Sequence, residues 1–251
     1  MIEIISAKTK EEVGSLAADV ITNQLKCKAD STFGFATGSS PVGMYTELIR
    51  RCKNGEISFK NVRCVNLDEY VGLDAEHDQS YAYFMRKNLF DGIDIDLKNT
   101  NLPSGLAPDL DAECKRYDAV VESMGGVDIQ VLGIGNNGHI GFNEPSDIFT
   151  YGTNVVELTK STIDANSRFF ESRELVPTKA ISMGVGQIMA AKKILLIALG
   201  EGKAYILEKA LFGEVTPRVP ASILRFAKDV TVVADEAALS VIRAKHPEAL
   251  A

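Results

Sequence analysis

The chain alternates short apolar runs with longer segments in which apolar residues recur at helical spacing. In the segment 110–124, for example, charged residues alternate with Ala112, Tyr117, Val120 and Val121, which predicts an amphipathic helix. Strands are predicted over 1–5, 32–36, 62–67, 128–134, 155–158, 180–183, 193–199 and 230–234. Helices are predicted over 41–53, 80–90, 110–124, 184–191, 203–212 and 236–244.

This order of elements predicts a fold class. Several of the predicted strands, above all 193–199, are apolar on successive residues, which is typical of strands covered on both faces. Strands that alternate with helices and are buried on both sides indicate a three-layer α/β/α sandwich around a mostly parallel, Rossmann-like sheet. A length of 251 residues suits a single domain spanning 1–251. In such sheets the ligand lies beyond the carboxyl ends of the strands.

Composition and charge narrow the classes of function. No apolar run approaches the roughly 18 residues that a membrane span needs, and the first residues lack the pattern of a signal peptide. The wide, irregular spacing of the four cysteines indicates reduced thiols and no metal site, so we expect a cytoplasmic protein. A net charge of −7 argues against a nucleic-acid partner. If the substrate is an anion, its positive partners would therefore be a few Lys or Arg side chains and backbone N–H groups at the binding site.

The loop after the second predicted strand is a candidate phosphate cradle. It reads Thr37-Gly38-Ser39-Ser40-Pro41 and leads directly into a predicted helix. Gly38 permits a tight turn, the hydroxyls of Ser39 and Ser40 are donors, and free N–H groups at a helix N-terminus favour an anion. An ordinary helix cap is the equal alternative from the motif alone.

Two cations are candidate partners for the same anion. Lys203 lies at the start of a predicted helix, where a positive charge opposes the helix dipole unless an anion compensates it. Arg168 has a planar guanidinium that can grip a phosphate with two hydrogen bonds. For both, a solvated side chain or a surface ion pair remains the alternative.

The segment 133–145 contains a G-x-G-x-x-G pattern after a predicted strand. Gly141 and Pro145 interrupt any helix that would follow, so the segment does not fit a dinucleotide-binding turn. The glycines fit a loop that holds side chains around a small ligand.

That loop carries the candidate acid–base residues. His139 can exchange a proton near neutral pH, and a carboxylate such as Glu144 would fix its tautomer and raise its pKa. Asn137 can orient a ring or a hydroxyl but cannot accept a proton. The alternative is a structural histidine.

Asp68 and Glu69 form a second acidic candidate, after the predicted strand 62–67. Neighbouring strand residues point to opposite sides, so only one of the two carboxylates is expected to enter a pocket and serve as a general base. The other would be structural, and both could simply belong to a loop.

Taken together, these segments resemble the glucosamine-6-phosphate deaminase family. The similar segments run in order along nearly the whole chain: 37–41, 67–73, 133–145, 165–170 and 184–186. The sequences Gly-His-Ile-x-Phe-Asn-Glu-Pro and Asp-Glu-Tyr-Val-Gly-Leu are specific, whereas Thr-Gly-x-Ser-Pro is shared with more distant relatives. The resemblance implies an enzyme of amino-sugar catabolism that converts glucosamine 6-phosphate and water to fructose 6-phosphate and ammonia, without a metal or an organic cofactor.

The resemblance also implies a role for each residue. Asp68 would transfer the proton between C1 and C2, and His139, tuned by Glu144, would open the pyranose ring. The 6-phosphate would be held by the loop of Gly38, Ser39 and Ser40 with Arg168 and Lys203, and the region 158–176 would be a mobile lid.

The chain departs from the larger, allosteric members of that family in two places. They have an acidic residue at the position of Asn137, and they carry basic residues for an effector phosphate at the positions of Asn154 and Val156. Short members share the asparagine. We therefore expect a short, non-allosteric form, for which a monomer is slightly favoured and a homo-oligomer stays open.

Two alternatives compete with the deaminase. A 6-phosphogluconolactonase-like hydrolase would need no proton transfer at C2, and so would have no use for Asp68 or for the segment 143–145. A non-catalytic sugar-phosphate sensor would keep the phosphate loop but lose the acid–base set. This chain keeps Asp68, His139 and Glu144, which favours the enzyme.

Overall fold

A seven-stranded parallel sheet forms the centre of the computed structural model, which describes residues 2–250 and all their side chains except those of Ser161, Ala165 and Phe169. Its strand order is β1-β10-β9-β6-β2-β3-β5, and every neighbouring pair is parallel. The strands of this sheet are β1 (Ile2–Ala7), β2 (Thr32–Phe35), β3 (Arg63–Asn66), β5 (Thr100–Asn101), β6 (Ile129–Leu132), β9 (Lys193–Ala198) and β10 (Val230–Asp235).

Helices flank the sheet and bury their apolar faces against it. The helices are α1 (Lys10–Cys27), α2 (Val42–Lys53), α3 (Tyr81–Asn88), α4 (Leu110–Ser123), α5 (Lys160–Asn166), α6 (Val185–Met189), α7 (Ala204–Phe212) and α8 (Ser240–Lys245). Short 3₁₀ segments connect several of them, including Ser167–Phe169 and Glu201–Lys203. β2, β6 and β10 are buried along their whole length, as strands with both faces covered must be. The predicted three-layer α/β/α class is confirmed.

The longest helix, α1, is not among the predicted helices. Its sequence nevertheless carries the helical signals, because Val13, Ala17, Ile21 and Leu25 recur on one buried face and Thr9 caps its first turn by accepting the N–H of Glu12. α1 packs against α2 and against β1, β9 and β10. The helix α5, the short strand β5 and a short strand at Asp68–Tyr70 (β4) are likewise absent from the predicted elements. The helix α8 begins at Ser240 and not at residue 236.

A second, three-stranded antiparallel sheet lies apart from the central one. It consists of β4 (Asp68–Tyr70), β8 (Lys179–Ser182) and β7 (Asn154–Glu157), in that order. The sequence predicts β7 and β8 as strands of one parallel sheet, but they pair with each other and with β4 instead. The short apolar runs of β7 and β8 indicate only that these segments are strands. Which strand each one pairs with depends on contacts between residues distant in the sequence.

The strand order brings four loops together. β9, β6, β2 and β3 are neighbours in the sheet, and the segments that follow their carboxyl ends contain the candidate residues except Arg168, which lies between β7 and β8. The chain runs from β2 to β3 in one direction and from β6 to β9 in the other, so the crevice at this topological switch point lies between β2 and β6.

Glu69 anchors β4 to α3. Its buried carboxylate accepts the backbone N–H groups of Tyr70 at 2.8 Å and of Tyr81 and Ala82 at 2.9 Å. Tyr81 and Ala82 form the first turn of α3, where N–H groups lack partners within the helix. The carboxylate that follows Asp68 is therefore structural.

We predict that Glu69→Ala lowers the free energy of unfolding by about 2–4 kcal/mol, because three N–H groups lose their acceptor in a buried place. Urea unfolding followed by circular dichroism measures this change. The exposed Glu122 of α4 supplies the matched control, and Glu122→Ala should change stability by less than about 0.5 kcal/mol. Equal stability of the two variants would contradict the anchoring role.

Candidate active site

One cavity of about 510 Å³ opens where the four loops meet. This volume is within the range of roughly 300–1,000 Å³ that small-molecule sites occupy. The predicted site residues that line it are Thr37, Gly38, Ser39, Ser40, Asp68, Asn137, His139, Arg168 and Lys203. Glu144 does not line the cavity but lies behind His139.

The loop between β2 and α2 forms one end of the cavity. Gly38 has φ +93°, a backbone conformation that favours glycine. Pro41 precedes α2 rather than opening it, and no side chain caps the helix. The first N–H groups of α2 therefore remain available to an anion, together with the hydroxyls of Ser39 and Ser40.

Lys203 and Arg168 reach the same cavity from different elements. Lys203 precedes α7, and its Nζ donates a hydrogen bond to Asn136 Oδ1 at 2.6 Å. That partner is neutral, and burial lowers the pKa of the ammonium. Arg168 lies in the exposed 3₁₀ turn after α5. An anion in the cavity would compensate both charges.

His139, Glu144 and Asn137 form a connected group at the wall of the cavity. His139 Nδ1 lies 3.4 Å from Glu144 Oε1, an ion-pair distance at the long limit for a hydrogen bond. Asn137 Nδ2 donates to Glu144 Oε2 at 2.5 Å, and Asn137 Oδ1 accepts the backbone N–H of His139 at 3.2 Å. Burial opposes ionisation of Glu144, but the contacts with His139, Thr162 and Asn137 outweigh it and lower its pKa to about 2. Glu144 is therefore an anion beside the imidazole, whose buried Nδ1 makes no hydrogen bond to any described residue.

The loop of residues 133–145 contains no helix, as the interrupted glycine pattern indicates. Gly135 is required by close approach, because a Cβ atom there would lie 2.3 Å from the ring of His139. Gly141 has φ +56° and lies beside Asp68 and Ser182, with a Cβ position 3.6 Å from Asp68 Oδ2. The glycines thus allow the backbone to pass close to the two candidate acid–base side chains.

Asp68 enters the cavity from the first position of β4, while Glu69 points to α3. Burial raises the pKa of Asp68 to about 8, and the neighbouring charge of Glu69 adds to this effect. A carboxyl group with a pKa in this range can take up and release a proton near neutral pH, which suits a general base.

Other residues at the cavity were not predicted as site residues. Among them are Asn136, Tyr81, Phe142, Thr162 and Asn166. Tyr81 stacks on Phe142 with the ring centroids 5.9 Å apart, and Asn166 donates to the hydroxyl of Tyr70 at 2.8 Å. Asn136 lies within the loop 133–145, and Thr162 and Asn166 lie within the expected lid 158–176. Their positions in these segments could have identified them as cavity residues. The sequence carries no such signal for Tyr81.

The described residues contain neither a cluster that could hold a metal ion nor a helix that could span a membrane. Among residues 2–250, no group of three or more His, Cys, Asp or Glu side chains is arranged to hold a metal ion. In the same part of the chain, no helix has the length and apolar composition needed to cross a bilayer.

A Rossmann-like α/β protein with a polar cavity at the carboxyl ends of its strands is the class that this fold and site define. Residues 6–233 match the sequence profile of the glucosamine-6-phosphate isomerases/6-phosphogluconolactonase family, and the chain belongs to this family. It is 53% identical over 231 residues to a glucosamine-6-phosphate deaminase of Lachnoclostridium phytofermentans, with 92% of this chain and 98% of that protein covered. It is 49% identical over 240 residues to a protein of the same name from Clostridium perfringens, with 96% and 99% covered.

Solved structures give the same placement. A monomeric glucosamine-6-phosphate deaminase superposes with a TM-score of 0.93 at 43% identity, covering 95% of this chain and 99% of that chain. A 6-phosphogluconolactonase from Trypanosoma brucei superposes with a TM-score of 0.74 at 17% identity, covering 96% and 98%. The second likeness concerns the fold alone.

The raised pKa of Asp68 has a consequence for stability. The folded protein keeps a proton up to about pH 8, whereas the unfolded chain releases it near pH 4, so the wild type loses stability as the pH rises between these values. We predict that Asp68→Asn removes this loss. Its advantage in free energy of unfolding should grow from pH 5 to pH 7.5, by at most about 1.4 kcal/mol per pH unit.

Urea unfolding at pH 5 and pH 7.5 measures the difference between wild type and variant. The control is Asp30→Asn, at an exposed position before the amino end of β2. An Asp68→Asn difference that is independent of pH would show that Asp68 has an ordinary pKa.

Proposed function

We propose that the protein is a glucosamine-6-phosphate deaminase of amino-sugar catabolism, converting glucosamine 6-phosphate and water to fructose 6-phosphate and ammonia. The observation that carries this proposal is a single cavity lined at once by the buried carboxylate of Asp68, by His139 and by the anion-binding loop. The proposal also draws on relatives of that name that match nearly the full length of the chain. No metal or organic cofactor enters it.

The phosphate group fixes the substrate. It binds at the N-terminus of α2, where the backbone and side chains of Thr37, Gly38, Ser39 and Ser40 are donors. Lys203 and Arg168 supply local positive charge for the phosphate in a protein whose net charge is −7. Holding the phosphate at one end places C1 and C2 beside Asp68 and His139.

His139 opens the pyranose ring. Proton transfer to the ring oxygen and removal of the proton from the C1 hydroxyl break the C1–O5 bond and leave the open-chain aldehyde. His139 serves as the proton carrier, and the carboxylate of Glu144 lies beside its Nδ1. Asn137 keeps Glu144 in place, so its role is positioning.

Asp68 then moves the proton between C2 and C1. Its carboxylate removes the C2 proton, the C–H electron pair forms the C1–C2 double bond, and the displaced C1–O1 π pair takes a proton at O1 to give an enolamine. Return of the proton to C1 gives a C2 ketimine, which water hydrolyses to the ketose and ammonia. Burial makes the carboxylate a stronger base than an exposed aspartate, because its ionised form is poorly solvated.

The segment 158–176 serves as a lid over this cavity within a single domain of residues 1–251. Three of its side chains, Thr162, Asn166 and Arg168, line the cavity beside the site loops. A lid that brings in Arg168 would exclude water from the enolamine until the proton has returned.

We place the protein in the cytoplasm as a monomer that does not need an effector phosphate. All four cysteines are free, as in a reducing compartment. Asn154 and Val156 cannot bind a phosphate by charge. The solved relative at 43% identity is a monomeric deaminase.

The first functional prediction concerns the base. Asp68→Asn should bind the substrate but release ammonia at least about 100-fold more slowly, because the amide cannot take the C2 proton. Ammonia release is measured with glucosamine 6-phosphate, with galactosamine 6-phosphate and, as lactone hydrolysis, with 6-phosphogluconolactone. Asp30→Asn is the control with unchanged turnover. Turnover by Asp68→Asn within a few-fold of wild type, or a wild type that hydrolyses only the lactone, would refute the proposal.

The second functional prediction concerns the phosphate. Lys203→Ala and Arg168→Ala should each raise KM by about 10- to 100-fold with a smaller change in kcat, because charged hydrogen bonds contribute about 1.5–3 kcal/mol. The matched control is Lys209→Ala, on the exposed side of α7, with unchanged KM. Steady-state kinetics of ammonia release measure both constants. If neither site variant changes KM, the phosphate binds elsewhere.

A further inference from the structure

One oxygen of Glu144 faces two partners at once. Glu144 Oε1 accepts a hydrogen bond from Thr162 Oγ1 at 2.5 Å, while His139 Nδ1 lies 3.4 Å from the same atom. The other oxygen, Oε2, accepts from Asn137. Thr162 therefore holds the short bond to the oxygen that the imidazole would otherwise use.

Thr162 belongs to α5 and not to the loop that carries His139 and Glu144. Its side chain is buried, with 8% exposed, and it lines the cavity. Thr159, at the N-cap of α5, accepts the backbone N–H of Thr162 at 3.2 Å and shares a 3.0 Å hydrogen bond with its hydroxyl. The hydroxyl reaches Glu144 only while α5 stays against the loop.

The two partners of this oxygen compete electrostatically. A hydrogen bond from a neutral hydroxyl stabilises the carboxylate charge and weakens its attraction for a second donor. Without the hydroxyl, Oε1 would be free to form a shorter, charged hydrogen bond with Nδ1–H. A stronger pair with a carboxylate raises the pKa of a histidine, because it favours the imidazolium.

We propose that Thr162 is a positioning residue that sets the basicity of His139 through Glu144, and so couples the docking of α5 to the protonation of the imidazole. The role within the reaction rests on the proposed ring opening by His139. The electrostatic coupling itself does not. With α5 docked, the imidazole is the weaker base and gives up its proton to the ring oxygen more readily; with α5 displaced, it takes a proton up.

Few charged groups approach His139 among the described residues. Glu144 is the carboxylate in contact with it, from the same loop. Asp68 from β4, Lys203 before α7 and Arg168 after α5 line the same cavity. Asp68 and Lys203 lie on other elements, whereas Arg168 directly follows α5 and could move with it, so a Glu144→Gln background is needed to assign a shift in the titration of His139 to Glu144.

The test is the titration of the histidine rings by NMR in the intact protein without substrate. The chain has three histidines, and His139→Gln identifies the signal of His139. In Thr162→Val we expect the pKa of His139 to rise by about half a unit or more relative to wild type. Thr162→Ser, which keeps the hydroxyl, should stay near the wild-type value. Thr46→Val, at an exposed position in α2, is the matched control without a shift.

A second background separates this coupling from a general effect on the lid. In Glu144→Gln the carboxylate charge is absent, so adding Thr162→Val should leave the pKa of His139 unchanged. Thr162→Ala removes the same hydroxyl without adding a methyl group and repeats the measurement if Thr162→Val does not fold.

No rise in either hydroxyl-free variant, or a rise that persists in Glu144→Gln, would overturn the proposal. Because this titration needs no turnover, it can succeed even if the protein proves not to be a deaminase.

Discussion

The site depends on giving two buried carboxyl groups opposite hydrogen-bond environments. Burial disfavours the charge of both Asp68 and Glu144. Glu144 receives donors from Asn137 and Thr162 and faces His139, so it stays ionised with a pKa of about 2. Asp68, beside the acidic Glu69, has its pKa raised to about 8. One carboxylate therefore stays negative beside the imidazole while the other exchanges protons near neutral pH.

This difference follows from backbone geometry more than from residue type. Asp68 and Glu69 are neighbours, yet the alternation of a strand sends one carboxylate into the cavity and the other to three N–H groups near the start of α3. Glu144 belongs to a loop whose glycines let the chain fold back on itself. Residues 137, 139 and 144 of this loop therefore contact one another. Similar side chains thus acquire different chemistry from the elements that carry them.

The sequence is informative about whatever depends on local pattern. Successive apolar residues predict the parallel strands, and the glycine and proline interruptions after residue 133 exclude a dinucleotide-binding helix. Alternation also predicts that Asp68 and Glu69 separate. By contrast, the pairing of β7 and β8 with β4, and the hydrogen bond from Thr162 to Glu144, join residues far apart in the chain. No local pattern specifies such contacts, and α1 shows that even a clear local pattern can be overlooked.

The small antiparallel sheet links the parts of the site that the central sheet leaves separate. Ser182 in β8 pairs with Asp68 on one side and with Asn154 of β7 on the other, and its hydroxyl accepts the N–H of Phe142 in the His139 loop. The segment that contains α5 leaves from β7 and returns through β8. The same small sheet therefore holds Asp68, the loop that carries His139 and both ends of the proposed lid through hydrogen bonds. The two ends of that segment, Glu157 and Lys179, pair with each other at the end of the small sheet away from Asp68. A displacement of α5 would therefore be confined to the part of the segment that carries Thr162, Asn166 and Arg168.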